Sequence, residues 1–256
     1  MRSLPGMDPL LLVLIHSPLV GPMTWRDCAA ALRSIDRPTL VPSLAGVTDA
    51  EPPWIPKLAG RVAEALRRSR PRSRVALIAH SGAGVLVPAI RAIAGPRVSA
   101  AVFVDAVIPR PGHSWFETAS PALGRRLREL SRGRVLPPWN EWFPPESIAS
   151  HVPDDAQRAR FLAEIPRLPL EYFEEIAPEV EGWDSIRCGY LRLSGAYDDI
   201  AAQAAARGWL LKHQPSDHLA MVTQPEAIAA SLDQMLEQMG FPRIPGRARS
   251  RAPHTA

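Results

Sequence analysis

The chain has 256 residues, 46% of them hydrophobic, enough for one large core, and its longest apolar run is too short to span a membrane. With 30 Lys and Arg against 26 Asp and Glu the formal charge is +4, but Arg243, Arg247, Arg249 and Arg251 near the end carry that excess. The rest is near neutral, which argues against a nucleic-acid-binding face.

Leu10 to Ile15 is a run of Leu, Val and Ile without alternation, the pattern of a fully buried strand. No small-residue cleavage site follows it, so no secretory signal is read and a cytoplasmic location is expected. A loop, His16-Ser17-Pro18-Leu19-Val20-Gly21-Pro22, comes next. Thr24 is expected to cap a helix through Trp25, Cys28, Ala31 and Leu32. Thr39 to Val41 reads as a short strand, residues 43–54 as a Pro-rich loop. Ile55 to Arg68 reads as an amphipathic helix with Leu58, Val62 and Leu66 inward.

The central stretch is Val75-Ala76-Leu77-Ile78-Ala79-His80-Ser81-Gly82-Ala83-Gly84. An apolar strand stops at Ser81 and a helical pattern follows through Ile93. Small residues at 79, 82 and 83 let a strand end and a helix start touch. A turn that tight lifts the Ser81 hydroxyl above the sheet, where a nucleophile is useful. Two other readings fit the same residues. Ser81 is also a favoured helix N-cap type. Gly82-x-Gly84-x-x-Val87, with Asp105 about 20 residues on, partly matches a dinucleotide-binding fingerprint.

Residues 98–104 form another buried strand ending at Asp105. The alternation then stops. Residues 106–186 hold Trp115, Trp139, Trp142 and Trp183, several other aromatics and many prolines. Short helices are predicted at 114–130, 145–150, 154–164 and 169–176, forming a helical cap inserted into the sheet domain. Trp115 and Trp142 are candidates for the wall of an apolar pocket, although such aromatics also serve as the insertion's own core. A strand at Tyr190 to Leu193, a loop at 194–199, a helix at 200–207, a strand at 208–212, a loop at 213–219 and a helix from Pro225 to Met239 complete the pattern. The implied fold class is α/β, a mostly parallel central sheet with helices on both faces. Its core comprises residues 8–105 and 187–240. Residues 241–256 read as a basic disordered tail.

Reactive groups of such sheets gather at the carboxyl ends of the strands. His16, Ser81, Asp105, Asp198 and His218 fall there. A serine hydroxyl needs a base, and the base an orienting acid. The chain order Ser81, Asp198, His218, with the turn around Ser81, resembles the α/β-hydrolase superfamily over about residues 8–240. The resemblance implies a serine hydrolase, esterase-like, with Ser81 as nucleophile, His218 as base and Asp198 as acid. Asp105 and Asp199 are alternatives for the acid. It also implies an oxyanion amide from Gly82 and a second from the loop after the first strand. There the expected donor position is Pro18, which has no N–H. Leu19 or Val20, or the Ser17 hydroxyl, then becomes the candidate, with His16 and His80 beside the site.

The implied substrate is a small apolar ester or thioester. No cofactor or metal is called for; the histidines are scattered and Cys28 and Cys188 lack ligand spacing. Other readings keep the fold and change the chemistry. His16-Ser17 is similar to the His-Thr pair of plant hydroxynitrile lyases, but the Lys those enzymes carry after the catalytic His is Leu219 here. Another lyase or cyclase activity, or a non-catalytic binding protein, is also compatible with the scaffold.

Overall fold

The computed structural model describes residues 10–69 and 73–243. The chain runs β1 (Leu10–Ile15), α1 (Met23–Ser34), β2 (Thr39–Leu40), α2 (Trp54–Ser69), β3 (Arg74–His80), α3 (Val87–Ala94) and β4 (Val98–Val104). After residues 105–186 it returns as β7 (Arg187–Arg192), α8 (Asp198–Ala206), β8 (Leu210–His213), α9 (Ala220–Thr223) and α10 (Pro225–Gln238). The intervening stretch contains α4 (Trp115–Thr118), α5 (Pro121–Leu130), β5 (Val135–Leu136), α6 (Pro145–His151), α7 (Asp155–Leu162) and β6 (Leu168–Pro169).

The central sheet has six strands in the order β2-β1-β3-β4-β7-β8, all pairs parallel. Both its faces are covered, which is why β1, β3 and β4 are almost continuously apolar rather than alternating. Leu11, Val13 and Ile15 of β1 join Val75, Leu77 and Phe103 under Leu58, Val62 and Ile90. Their neighbours Leu10, Leu12 and Leu14 join Ile78, Val102 and Leu191 under Trp25, Leu32, Leu232 and Met235. Ile15 pairs with Ala79, and Val104 with both His80 and Leu191, so strands β1, β3, β4 and β7 end on one edge. The residues that follow them are thereby brought to one place.

Local chemistry moves several predicted boundaries. The N-cap of α1 is Pro22, not Thr24, whose hydroxyl donates to the Gly21 carbonyl at 2.8 Å. The helix expected over 114–130 is divided by the Ser120-Pro121 start signal: Ser114 and Glu117 form a capping box on α4, and Ser120 caps α5. Phe241, assigned to the tail by composition, is 2% exposed and packs with the α1–α10 side of the core. The remainder of that tail, from residue 244, lies outside the described residues, as do residues 8 and 9.

The stretch after β4 is fastened to the sheet domain through two helix N-termini. The Glu164 carboxylate accepts from the Met23 amide at 2.6 Å, supplying the cap that Pro22 cannot. Glu175 accepts from the Trp54 and Ile55 amides at 2.7 and 2.9 Å. Each carboxylate satisfies orphan N–H groups at the positive end of a helix. The approach at α1 is close enough that a Cβ on Gly21 would lie 2.3 Å from that of Glu164. Among the described residues, no helix is long and apolar enough to cross a membrane.

Candidate active site

Ser81 sits at the end of β3 with φ of 55°, in the left-handed region that a residue with a Cβ rarely occupies. A short 3-10 helix, Ser81–Leu86, follows before α3 begins at Val87. The strain is held from outside: the Ser81 carbonyl accepts from the Val107 amide at 3.2 Å. The same residue explains Gly84, where a Cβ would stand 2.0 Å from the Val107 carbonyl oxygen. Gly84 is therefore required by close packing after β4, and the dinucleotide reading of these glycines is not needed. The N-cap reading fails too, since Ser81 makes no cap bond and instead faces His218.

His218 lies in the loop between β8 and α9. Its Nε2 is 3.1 Å from Ser81 Oγ and its Nδ1 is 3.3 Å from Asp105 Oδ2. A carboxylate oxygen only accepts, so Nδ1 carries the proton and Nε2 is left to accept from the serine hydroxyl. Asp105 is fully buried and collects further donors: the Leu193 amide at 2.6 Å, the Ser194 amide at 3.0 Å and the Ser194 hydroxyl at 2.6 Å. Such convergence is what a buried carboxylate requires.

The structure thus corrects the preference for Asp198. That residue opens α8, where a carboxylate complements the helix dipole, and its side chain is 57% exposed. It pairs with Arg192, whose Nε lies 2.5 Å from Oδ1. Asp199 stands beside it in the same exposed first turn. The acid against His218 comes from the end of β4 instead. Tyr190 supports the turn there: its buried hydroxyl donates to the Ala106 carbonyl at 2.8 Å and accepts from the Ala106 amide at 3.1 Å. Asp105 itself has φ of 39°.

The loop after β1 packs onto the elbow. A Cβ on Gly82 would lie 3.0 Å from Ser17 Oγ and 3.8 Å from Pro18 Cδ, so only glycine fits at 82 without a shift. Leu19, expected to offer an amide to an oxyanion, already donates that amide to Ser17 Oγ at 3.3 Å. The Val20 amide donates to the Ser17 carbonyl at 3.1 Å. Ser17 Oγ, having accepted one bond, keeps its own proton to give. His16 and His80, which the sequence sets beside the site, are each 1% exposed and bonded to backbone groups. His16 Nδ1 donates to the Ser17 carbonyl at 2.8 Å and Nε2 accepts from the Leu44 amide at 3.2 Å. Burial lowers its pKa to about 4. His80 Nε2 donates to the His218 carbonyl at 3.0 Å, and burial, with His218 nearby, holds His80 well below the usual histidine range.

Trp115 and Trp142 pack on Phe173, with ring centroids 5.1 and 6.0 Å apart, and Trp142 Nε1 donates to the Pro137 carbonyl at 2.9 Å. They belong to an aromatic cluster with Phe116 and Tyr172, so their burial is accounted for without a ligand. Both cysteines are buried and unbridged, and burial pushes their thiols up to about 12, so neither offers a thiolate near neutral pH. One residue the sequence did not single out is Tyr197. Its ring stacks on His218, with centroids 5.0 Å apart and 6° between planes.

A hydroxyl on a strained turn, an imidazole in the tautomer that accepts its proton and a buried carboxylate behind that imidazole form the arrangement used for nucleophilic acyl transfer. The Alpha/beta hydrolase family description matches residues 12–231, and the chain belongs to that family. The chain is 25% identical over 262 residues to Methyl jasmonate esterase 1 of Vitis vinifera, covering 88% of this chain and 96% of that one. Among solved structures it is similar to an extracellular alpha/beta-hydrolase from a Paenibacillus species, described as homologous to tobacco salicylic acid binding protein 2. That match has a TM-score of 0.71 and 21% identity over 89% of this chain and 99% of the other. A pyrethroid hydrolase from Sphingobium faniae matches with a TM-score of 0.68 and 17% identity, over 89% and 98%. At these identities the structural matches show the shared fold.

Proposed function

We propose that the chain is an esterase that cleaves an apolar carboxylic ester, or a thioester, through an acyl-enzyme on Ser81. The observation that carries this reading is the hydrogen-bonded series from Ser81 Oγ through His218 to Asp105. His218 Nε2 takes the hydroxyl proton as Oγ bonds to the substrate carbonyl carbon. The oxyanion of the tetrahedral intermediate is received by the Gly82 amide and the Ser17 hydroxyl, the latter replacing the amide that Pro18 lacks. The intermediate collapses, the bond to the leaving group breaks, and His218 passes its proton to the departing alkoxide or thiolate. Water then attacks the acyl group with His218 again as base, releasing the acid and restoring Ser81.

Residues 106–186 serve in this reading as a cap over the strand ends, fastened by Glu164 and Glu175, with its aromatic cluster favouring an apolar acyl or alcohol group. The esterase and pyrethroid hydrolase names of similar proteins support ester chemistry. A second reading rests on the Leu19 and Val20 amides, which both already have acceptors: the site turns over an apolar carbonyl compound without hydrolysis. Turnover of methyl and p-nitrophenyl esters in ¹⁸O-labelled water separates the two. Hydrolysis places the label in the released acid. Product formed without label, or no turnover across an ester series by protein that is folded, would remove the esterase reading.

A further inference from the structure

We propose that His80 is a positioning residue for the catalytic base: its Nε2–H holds the His218 peptide so that the imidazole stays within reach of Ser81 Oγ. The proposal rests on the serine hydrolase reading above and adds to it a buried side chain beneath the base. His80 Nε2 lies 3.0 Å from the His218 carbonyl oxygen. A carbonyl only accepts, so Nε2 carries the ring proton. Among the described residues no other hydrogen bond reaches that carbonyl. The two imidazoles also meet, with centroids 4.6 Å apart and 38° between planes.

The register of β3 explains why His80 is available. Ala76 and Ile78 point to the sheet face covered by α1 and α10, and His80, two residues on, continues that row. Trp25 of α1 stands edge-on to its ring, with centroids 6.1 Å apart. The loop carrying His218 leads into α9, whose Ala220 and Met221 pack on the same face. Other bonds of this loop fix its flanks. The Gln214 and Ser216 amides donate to the Arg192 and Leu193 carbonyls, each at 3.0 Å. Asp217 closes a local turn, its side chain accepting from the Leu219 amide at 2.8 Å and its carbonyl from the Ala220 amide at 3.1 Å. His80 supplies the tie between the His218 peptide and the sheet. Because Ser81 is the next residue, one strand end holds both the nucleophile and the peptide of its base.

Packing alone does not account for an imidazole here. His80 is 1% exposed, and its Nδ1, left as an acceptor by the proton on Nε2, has no hydrogen-bond partner among the described residues. A buried acceptor without a donor costs stability, so an apolar side chain would fill the place better if filling were its only duty. Burial, with His218 nearby, keeps the ring neutral. A neutral ring adds no repulsion when His218 becomes imidazolium. Proton transfer depends on His218 Nε2 staying near its present 3.1 Å from Oγ. A displacement of about 1 Å at such a site costs about a hundredfold in rate.

The test compares the unaltered protein with His80→Gln and His80→Met, which match in length and bulk and differ in the N–H. Each is assayed for kcat and KM on a p-nitrophenyl ester and for the rate at which a fluorophosphonate labels Ser81, with thermal melts to confirm folding. His80→Gln can still donate to the His218 carbonyl and should keep kcat within about fivefold of the parent. His80→Met cannot, and should lose about 10² in kcat and a similar factor in labelling rate, with KM within about twofold. A general loss of packing would lower both variants alike, so the split between them isolates the donor. Should His80→Met fail to fold, His80→Leu supplies the donor-free comparison. Equal kcat in the Gln and Met variants, or a Met variant as active as the parent, would overturn the role of His80 while the esterase reading stands. A folded parent that neither turns over esters nor takes the label would remove that reading and this proposal together.

Discussion

Replacing Asp105 by Asn separates the acid that the structure places behind His218 from the one that the sequence favoured. Four N–H or O–H groups converge on this carboxylate: the Leu193 amide, the Ser194 amide, the Ser194 hydroxyl and His218 Nδ1. Asparagine offers one oxygen and turns an NH₂ donor toward the rest. If that NH₂ meets His218, Nδ1 must accept, the ring proton moves to Nε2, and the imidazole no longer takes a proton from Ser81. A tautomer error of this kind is worth about 10⁴ in kcat. Because the site is fully buried, the unmatched donors also cost about 3 kcal/mol of stability or more. Asp198→Asn is the matched control. It breaks an exposed pair with Arg192, worth about 1 kcal/mol at most, and should leave kcat within a factor of about two. The assay is steady-state hydrolysis of a chromogenic ester at a pH above the acid limb, with thermal melts of both variants. The reasoning is refuted if Asp198→Asn loses a thousandfold or so while Asp105→Asn stays within about tenfold of the parent. If Asp105→Asn does not fold, Asp198→Asn still reports which assignment holds.

Ser17→Ala should lower kcat by about 10² if the hydroxyl stabilises the oxyanion, with little change in KM; an unchanged kcat would return the second donor to the backbone. Ser81→Gly and Ser81→Ala both abolish the nucleophile, but only glycine relieves the positive φ. Ser81→Gly should melt about 2–4 °C above Ser81→Ala, the equivalent of about 1 kcal/mol, and equal melting temperatures would mean the turn is unstrained. Stability should also fall with acid through His16. Its folded pKa of about 4 lies below the usual 6.5, so between those values the unfolded chain binds a proton that the folded one does not. Stability is then complete above about pH 6.5 and declines by about 3 kcal/mol as pH falls to about 4. Buried His80 acts in the same direction. Denaturant titrations at pH 7 and pH 4.5 should show a smaller difference in His16→Gln than in the parent; equal differences would show that His16 takes no part.

What the sequence disclosed follows from how each feature is encoded. The buried strands announced themselves because β1, β3 and β4 are covered on both faces and must be apolar throughout. The elbow was legible because a strained turn admits only small neighbours. The acid was not, because two carboxylates, Asp105 and Asp198, both follow strands and nothing local states which one reaches His218. That choice is made by the pairing of β4 with β7, which sets Asp105 beside Leu193 and Ser194. Likewise Arg192, six residues before Asp198, draws it away to the surface. Tyr197 was hidden for a similar reason: a tyrosine in a loop acquires meaning only when stacking places it on an imidazole. Trp115 and Trp142 mark the opposite limit. Composition leaves open whether they line a pocket or build the insertion's own core, and only the folded chain shows that both pack on Phe173.

The central claim is that Ser81 is an activated nucleophile, and a fluorophosphonate probe tests it most directly, since phosphonylation requires the serine, its base and a competent turn together. The folded protein should gain one adduct, mapped by peptide mass to Ser81. Labelling should vanish in Ser81→Ala and slow by orders of magnitude in His218→Ala. Folded protein that stays unlabelled at Ser81, or labels equally well without His218, would contradict it.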